Sequence, residues 1–273
     1  MSLLPRVATA AVILGVGLGL GQWVRGLSAW VRTAPARLGF EMMGIEIGLA
    51  ALALAIAWAL PGRVGDRLGL RPSTLPTGVI VALTVGTLGL SHAVDGVLKL
   101  TRSLEGSVIV GISRGLDDAA GWPFVVAFFG TAIAPAIGEE LLCRGLVQRS
   151  LARWIGPAAA IVAASLFFGW LHMELVHGAV ATCIGVYLGL AAWLGDSTRP
   201  AMAGHAANNL AALLGSAGVL TTRLPLAPAI ALGSALAIGA LVWAWRARAR
   251  PPGEPRDGDP PGALQPRPES ADC

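Results

Sequence analysis

Apolar residues in this chain run in long unbroken blocks rather than in strict alternation or in a narrow helical stripe. Stretches free of Asp, Glu, Lys and Arg cover 7–24, 47–62, 72–94, 119–138, 154–173, 175–195, 200–222 and 224–245. A helix needs roughly 20 apolar residues to cross the hydrocarbon of a bilayer, within a range of about 17–25. Most blocks reach that length, and 47–62 does so when extended through Glu46 toward Phe40. The pattern predicts an all-α integral membrane protein with about eight transmembrane helices. Arg6 ahead of the first block resembles the start of a signal peptide, but the spans that follow make an uncleaved first helix the better reading.

Composition agrees. The chain has 273 residues, 55% of them hydrophobic and 13% charged, with a mean hydropathy of +0.68. Soluble domains carry about 25% charged residues, so a water-soluble globule is excluded. The 36 glycines allow close helix approach, and Gly15/Gly19, Gly17/Gly21 and Gly185/Gly189 have the GxxxG spacing. Cys143, Cys183 and Cys273 form no CxxC motif and no even set, so nothing points to a disulfide framework.

All but one of the 20 basic residues are Arg, and they punctuate the apolar runs instead of clustering on one face. That arrangement speaks against a nucleic-acid partner and for interfacial anchors in a lipid bilayer. With the N-terminus inside, Arg6, Arg63, Arg67, Arg71, Arg149, Arg153, Arg199, Arg246, Arg248 and Arg250 fall on the cytoplasmic side. Arg25, Arg32, Arg37, Lys99, Arg102, Arg114 and Arg223 fall on the other. The excess places both termini in the cytoplasm and the protein in the cell's inner membrane. By organisation, 1–118 holds the N-terminal helices, 119–222 a helical core, and 223–246 the last helix. The Pro-rich segment 247–273 reads as a disordered, solvated tail.

Ionisable residues inside spans cost about 2.5–3.5 kcal/mol each on insertion scales, so each needs a reason. Glu41 and Glu46 read as interfacial carboxylates at the entry to a short span. His92 and Asp95, three apart, read as a polar pair near a helix end. Glu174 and His177 read as interfacial. The remaining residues form a pattern. In Gly138-Glu139-Glu140-Leu141-Leu142-Cys143-Arg144, Glu140 and Arg144 are four apart and pair on one helical face. Glu139 is turned about 100° away and left free for another partner. Phe168 and His172 share a face, as do His205 and Asn209, with Asn208 beside them. Gly156-Pro157 reads as a turn between two helices. Glu139 lies 17 residues before Gly156 and His172 lies 16 after it, which sets both at similar depth, roughly 25 Å from the turn. His205 fits less simply, because it follows the 196–200 connection closely. A broken, re-entrant or strongly tilted helix would be needed, with Pro200 and Gly204 as candidate breakers.

The order Glu-Glu-x-x-x-Arg, Phe-x-x-x-His, His-x-x-x-Asn resembles the CPBP intramembrane protease family, which comprises CAAX prenyl endopeptidases and bacteriocin-processing or immunity proteins. The resemblance spans roughly residues 119–215. It implies an all-helical membrane enzyme that hydrolyses a peptide bond of a membrane-associated or lipidated substrate, with its active site within the helical bundle. It further implies that Glu139 takes a proton from water and that His172 holds that water or shares its proton. His205 and Asn209 then donate to the oxyanion, while Arg144 fixes Glu140. A divalent metal such as zinc stays open, since Glu139, His172, His205 and Asn209 include possible ligands with one free position. No HExxH is present, and His172-Met173-Glu174 has the wrong spacing for one. A metal-free, glutamate-activated water accounts for the same residues without a cofactor. The alternative is a non-catalytic multi-span binding, immunity or transport protein using the same polar cluster. A transporter predicts paired interrupted helices in two halves, and 1–120 shows no self-similarity to 121–245.

Overall fold

The computed structural model describes residues 3–220 and 225–248, so most of the Pro-rich tail, Arg223, Arg250 and Cys273 lie outside it. Every regular element among the described residues is helical. In chain order they are α1 (Leu3–Gly26), α2 (Ala34–Ala59), the single turn α3 (Val64–Arg67), α4 (Thr77–Thr101) and α5 (Val108–Gly115). Then come α6 (Gly121–Ala127), α7 (Ala134–Glu140) and α8 (Arg149–Ile155), followed by α9 (Pro157–Leu171), α10 (Leu175–Leu194), α11 (Arg199–Ser216) and α12 (Leu226–Ala247). Two π-helical stretches, Phe128–Ile133 and Leu141–Gln148, join α6, α7 and α8 into one continuous rod of 35 residues, Gly121–Ile155.

The rod, α1, α2, α4, α10 and α12 are long and apolar enough to cross a membrane, six helices among the described residues. Of the eight spans expected, the two that fall short are α9, at 15 residues, and α11, which carries His205, Asn208 and Asn209. Two block boundaries are also corrected. The block 119–138 stops where charge begins, but the helix continues through Glu139, Glu140 and Arg144, because these groups find partners inside the bundle. The block 47–62 is the second half of α2, which starts at Ala34 behind Thr33 and with Pro35 in its first turn. Glu46 therefore stands in mid-helix and is buried, not interfacial. Asp95 pairs with Lys99 at 2.6 Å, one turn on, rather than with His92.

Small residues set the helix spacing. In α1, a methyl on Gly17 or Gly21 would run into α2 at Ala51 or Gly44, whereas Gly15 and Gly19 meet nothing within 4 Å. Only one of the two overlapping GxxxG pairs is thus a packing seam. Along α4, a methyl on Gly89 would lie 2.8 Å from the Gly233 carbonyl oxygen of α12. The glycines of α10 serve the rod, with Gly185 and Gly189 exposing their carbonyls to Arg144 and Gln148 at 3.0 and 2.9 Å.

Cross-links at the helix ends fix the sidedness. Arg6 bonds the carbonyl of Leu60 at 2.9 Å, Thr198 Oγ1 bonds Leu68 O at 2.7 Å, and Arg149 pairs with Asp196 at 3.0 Å. Arg248 lies over Trp245 and near Trp193, so the end of α12 joins the start of α1 on this terminal face. On the opposite face Ser107 bonds Glu174 at 3.0 Å and Ser113 bonds Ser216 at 2.9 Å.

Candidate active site

The three polar motifs meet in the interior of the bundle. Two neighbouring elements place them. Pro135 sits in the first turn of α7, where its missing N–H follows the wider π-helical turn before it. A second π stretch begins immediately after Glu140, so both glutamates lie on a short α segment between two widened turns, a local irregularity frequent at functional sites. Gly156 takes φ +79°, open to glycine without strain, and lets Pro157 start α9 back across the bundle. The 15 residues of α9 span about 22 Å, which sets His172 near the depth of Glu139.

The depth of His205 has a simpler origin than a broken helix. The α10–α11 connection is tied to α8 by the Arg149–Asp196 pair. From there His205 reaches Glu140 on an unbroken α11. Pro200 occupies the first turn of that helix, and Gly204 abuts Thr87, where a methyl would lie 2.6 Å from the hydroxyl. Neither is a breaker.

Glu140 is the hub. It is fully buried, and one oxygen, Oε1, accepts from Arg144 Nη1 at 2.7 Å and lies 2.9 Å from His205 Nδ1. Arg144, also fully buried, donates its other terminal nitrogen to Gly185 O at 3.0 Å and stacks 4.3 Å above the Phe168 ring. Such charge-assisted bonds in a dry interior fix the rotation of the rod against α9, α10 and α11. Because a carboxylate only accepts, His205 Nδ1 carries a proton and Nε2 faces away from Glu140. Nε2 lies 3.6 Å from Glu139 Oε2, beyond direct hydrogen-bond range. The Glu139 side chain retains 12% exposure and His205 7%.

Phe168 organises the second motif. Its ring meets the edges of His172 and His205 at centroid distances of 5.0 and 5.7 Å. Its carbonyl lies 2.9 Å from His172 Nδ1. A carbonyl also only accepts, so His172 holds its proton on Nδ1 and presents Nε2 as an acceptor. Asn209 lies one turn beyond His205, and its Oδ1 accepts from Asn208 at 3.3 Å, which leaves its amide N–H groups free to donate.

Two neighbours escaped the sequence reading. The His177 ring contacts His172 at 4.3 Å, brought there by α10, whose first turn is capped by Glu174 through the amides of Val176 and His177 at 2.9 and 2.8 Å. Glu46 abuts Gly138, where a methyl would lie 2.6 Å from its Oε2. The start signal Thr33-Ala34-Pro35 would have moved Glu46 from a helix end to a helix middle. No sequence spacing marks His177.

Among the described residues, no group of three His, Cys, Asp or Glu side chains converges as a metal site requires. Cys143 is buried and Cys183 is exposed, each as a free thiol.

Residues 121–211, about a third of the chain, match the family model described as Rce1-like, type II CAAX prenyl endopeptidase. The matched segment contains the rod, α9, α10 and most of α11, and with them all three motifs. It is the family that the motifs resemble, and the apolar helices around it are those of a multi-pass membrane protein. No curated protein and no solved structure matches the chain.

Proposed function

We propose that this protein is an intramembrane endopeptidase that hydrolyses a peptide bond of a membrane-associated or lipidated substrate by a glutamate-activated water. The observation that supports it most is the buried chain Arg144–Glu140–His205, with Glu139 on the far side of the same imidazole. Amide hydrolysis needs an activated water, a stabilised oxyanion and a proton for the leaving amine. The 3.6 Å between Glu139 and His205 leaves both groups free to address a third atom.

In this mechanism Glu139 removes one proton from water as the water oxygen bonds the scissile carbonyl carbon. The carbonyl oxygen becomes the oxyanion and accepts from Asn209 and from His205 Nε2 in its doubly protonated form. Glu140 offsets the imidazolium charge and holds its ring, and Arg144 in turn offsets Glu140. Collapse of the tetrahedral intermediate breaks the C–N bond as Glu139 returns its proton to the amine nitrogen. His172 Nε2, an acceptor, shares that proton while Glu139 holds it. The mechanism uses no metal. By the excess of arginine on the terminal face, that face and both termini lie in the cytoplasm, with the protein in the inner membrane.

The test is cleavage of a panel of quenched-fluorescent lipidated peptides by purified protein, comparing wild type, Glu139→Ala and His205→Ala with and without chelator. Cleavage lost in both variants and indifferent to chelator is expected. Cleavage that survives Glu139→Ala overturns the mechanism, and chelator sensitivity overturns its metal-free form. A folded wild type that cleaves no peptide moves the assignment to a membrane binding or immunity protein.

A further inference from the structure

The mechanism above leaves one interior carboxyl without a role. Glu46 is 5% exposed, and its Oε2 is buried with no hydrogen-bond partner. It stands against Gly138, the residue before Glu139. A methyl at Gly138 would lie 2.6 Å from Glu46 Oε2 and 2.7 Å from its carbonyl oxygen, so a side chain there would drive α2 off the rod. Glu46 therefore adjoins the segment of the rod that carries Glu139. The close approach thus brings two acidic side chains from different helices to one corner of the site.

Nothing at that corner neutralises Glu46. The rod groups near it are Glu139 and Cys143, neither of them a cation. Arg144 and His205 are both committed to Glu140. On the other side of α2, Arg25 of α1 packs through its Cβ against Gly44 and forms no ion pair among the described residues. A carboxyl held in mid-bilayer without a partner is costly and is retained for use. If packing alone were required, Leu or Met would fill the same space at lower cost.

We propose that Glu46 is a positioning residue that holds the attacking water. Its carboxyl accepts one O–H of the water whose other proton Glu139 removes, an inference that rests on the endopeptidase reading. Two carboxyl oxygens on adjacent helices fix both O–H directions of one water, which aims its lone pair at the scissile carbonyl carbon. The proton account is unchanged. One proton passes from water to Glu139 and on to the leaving amine, and Glu46 gains none. The second O–H stays bonded to Glu46 until the tetrahedral intermediate collapses to the acid product.

Three variants test this: Glu46→Ala, Glu46→Gln and Glu46→Leu. Loss of water positioning in Glu46→Ala lowers kcat about 100-fold with KM little changed. Added formate, which fits the vacated space and supplies a carboxylate oxygen, restores part of the loss. Glu46→Gln keeps a carbonyl acceptor at the same place and falls between Glu46→Ala and wild type. A Glu46→Leu protein as active as wild type overturns the proposal. So does a folded Glu46→Ala protein whose loss formate does not relieve.

A second readout needs no substrate. The infrared difference between wild type and Glu46→Gln isolates the Glu46 carboxyl band. Exchange of H2O for D2O shifts that band if Glu46 holds a water, and Glu139→Ala reduces the shift if the water is shared. A band indifferent to exchange overturns the inference even where no peptide is cleaved. Cleavage that survives Glu139→Ala overturns the endopeptidase mechanism instead, so the two failures are distinguishable.

Discussion

Arg144→Met tests whether the buried polar chain holds the bundle together. The substitution keeps much of the side-chain volume and removes three interactions. These are the 2.7 Å bond to Glu140, the 3.0 Å bond to the Gly185 carbonyl and the stacking 4.3 Å above Phe168. Glu140 is then left charged at 0% exposure with only His205 to face it. Removing one partner of a buried ion pair costs about 3–5 kcal/mol, most of it the price of the charge left behind. At about 1.4 kcal/mol per tenfold, the folding equilibrium shifts by two to three and a half orders of magnitude. Replacing both partners, Arg144→Met with Glu140→Gln, removes the orphan charge and recovers much of the loss, because the Gln oxygen still accepts from His205. The exposed Asp95–Lys99 pair is the control. Its side chains are 40% and 53% exposed, and Lys99→Met costs about 1 kcal/mol or less. Equilibrium unfolding in mixed detergent micelles, followed through the nine tryptophans, measures wild type, Arg144→Met, Glu140→Gln, the double variant and Lys99→Met. The reasoning is refuted if Arg144→Met costs as little as Lys99→Met, or if the double variant is as unstable as the two single losses summed.

Three further outcomes follow from the geometry. Gly21→Leu drives α1 away from Gly44 and destabilises the bundle by about 1–3 kcal/mol, whereas Gly19→Leu, in open space on the same helix, is near neutral; the same unfolding assay separates them. Glu174, between the spans, has its carboxyl held below the usual range by the His177 and Val176 amides it accepts from and by Ser107. Its contribution is therefore full above about pH 4.3 and is lost as pH falls through its depressed folded value. Amide exchange at Val176 and His177 should show that loss in wild type and none in Glu174→Gln; equal pH dependence in the two would contradict the cap. Asn209→Ala lowers kcat about 100- to 1,000-fold with little change in KM if its amide serves the oxyanion, and Asn209→Asp does no better, since it brings an acceptor where a donor is needed. A KM effect alone would assign Asn209 to substrate binding.

What the sequence determined by itself was everything that rests on local spacing and on the solvent. Long apolar blocks can satisfy their backbone in lipid only as helices, so the all-α membrane architecture was legible from composition and block length. The Glu140–Arg144 pair was legible because four residues make one turn, and the turn at Gly156-Pro157 because only glycine enters that backbone region freely. The tertiary structure decided whatever depends on partners distant in the chain. Charge ended the sequence block before Glu139, yet the helix runs on through Arg144, since Glu140 and Gly185 satisfy that guanidinium. Glu46 looked interfacial until Gly138, 92 positions later, let α2 lie against the rod. His205 looked too shallow until an unbroken α11 was seen to bring it to the buried Glu140. Burial and alignment of a polar side chain are properties of the neighbouring helices, which the order of residues along any one helix does not contain.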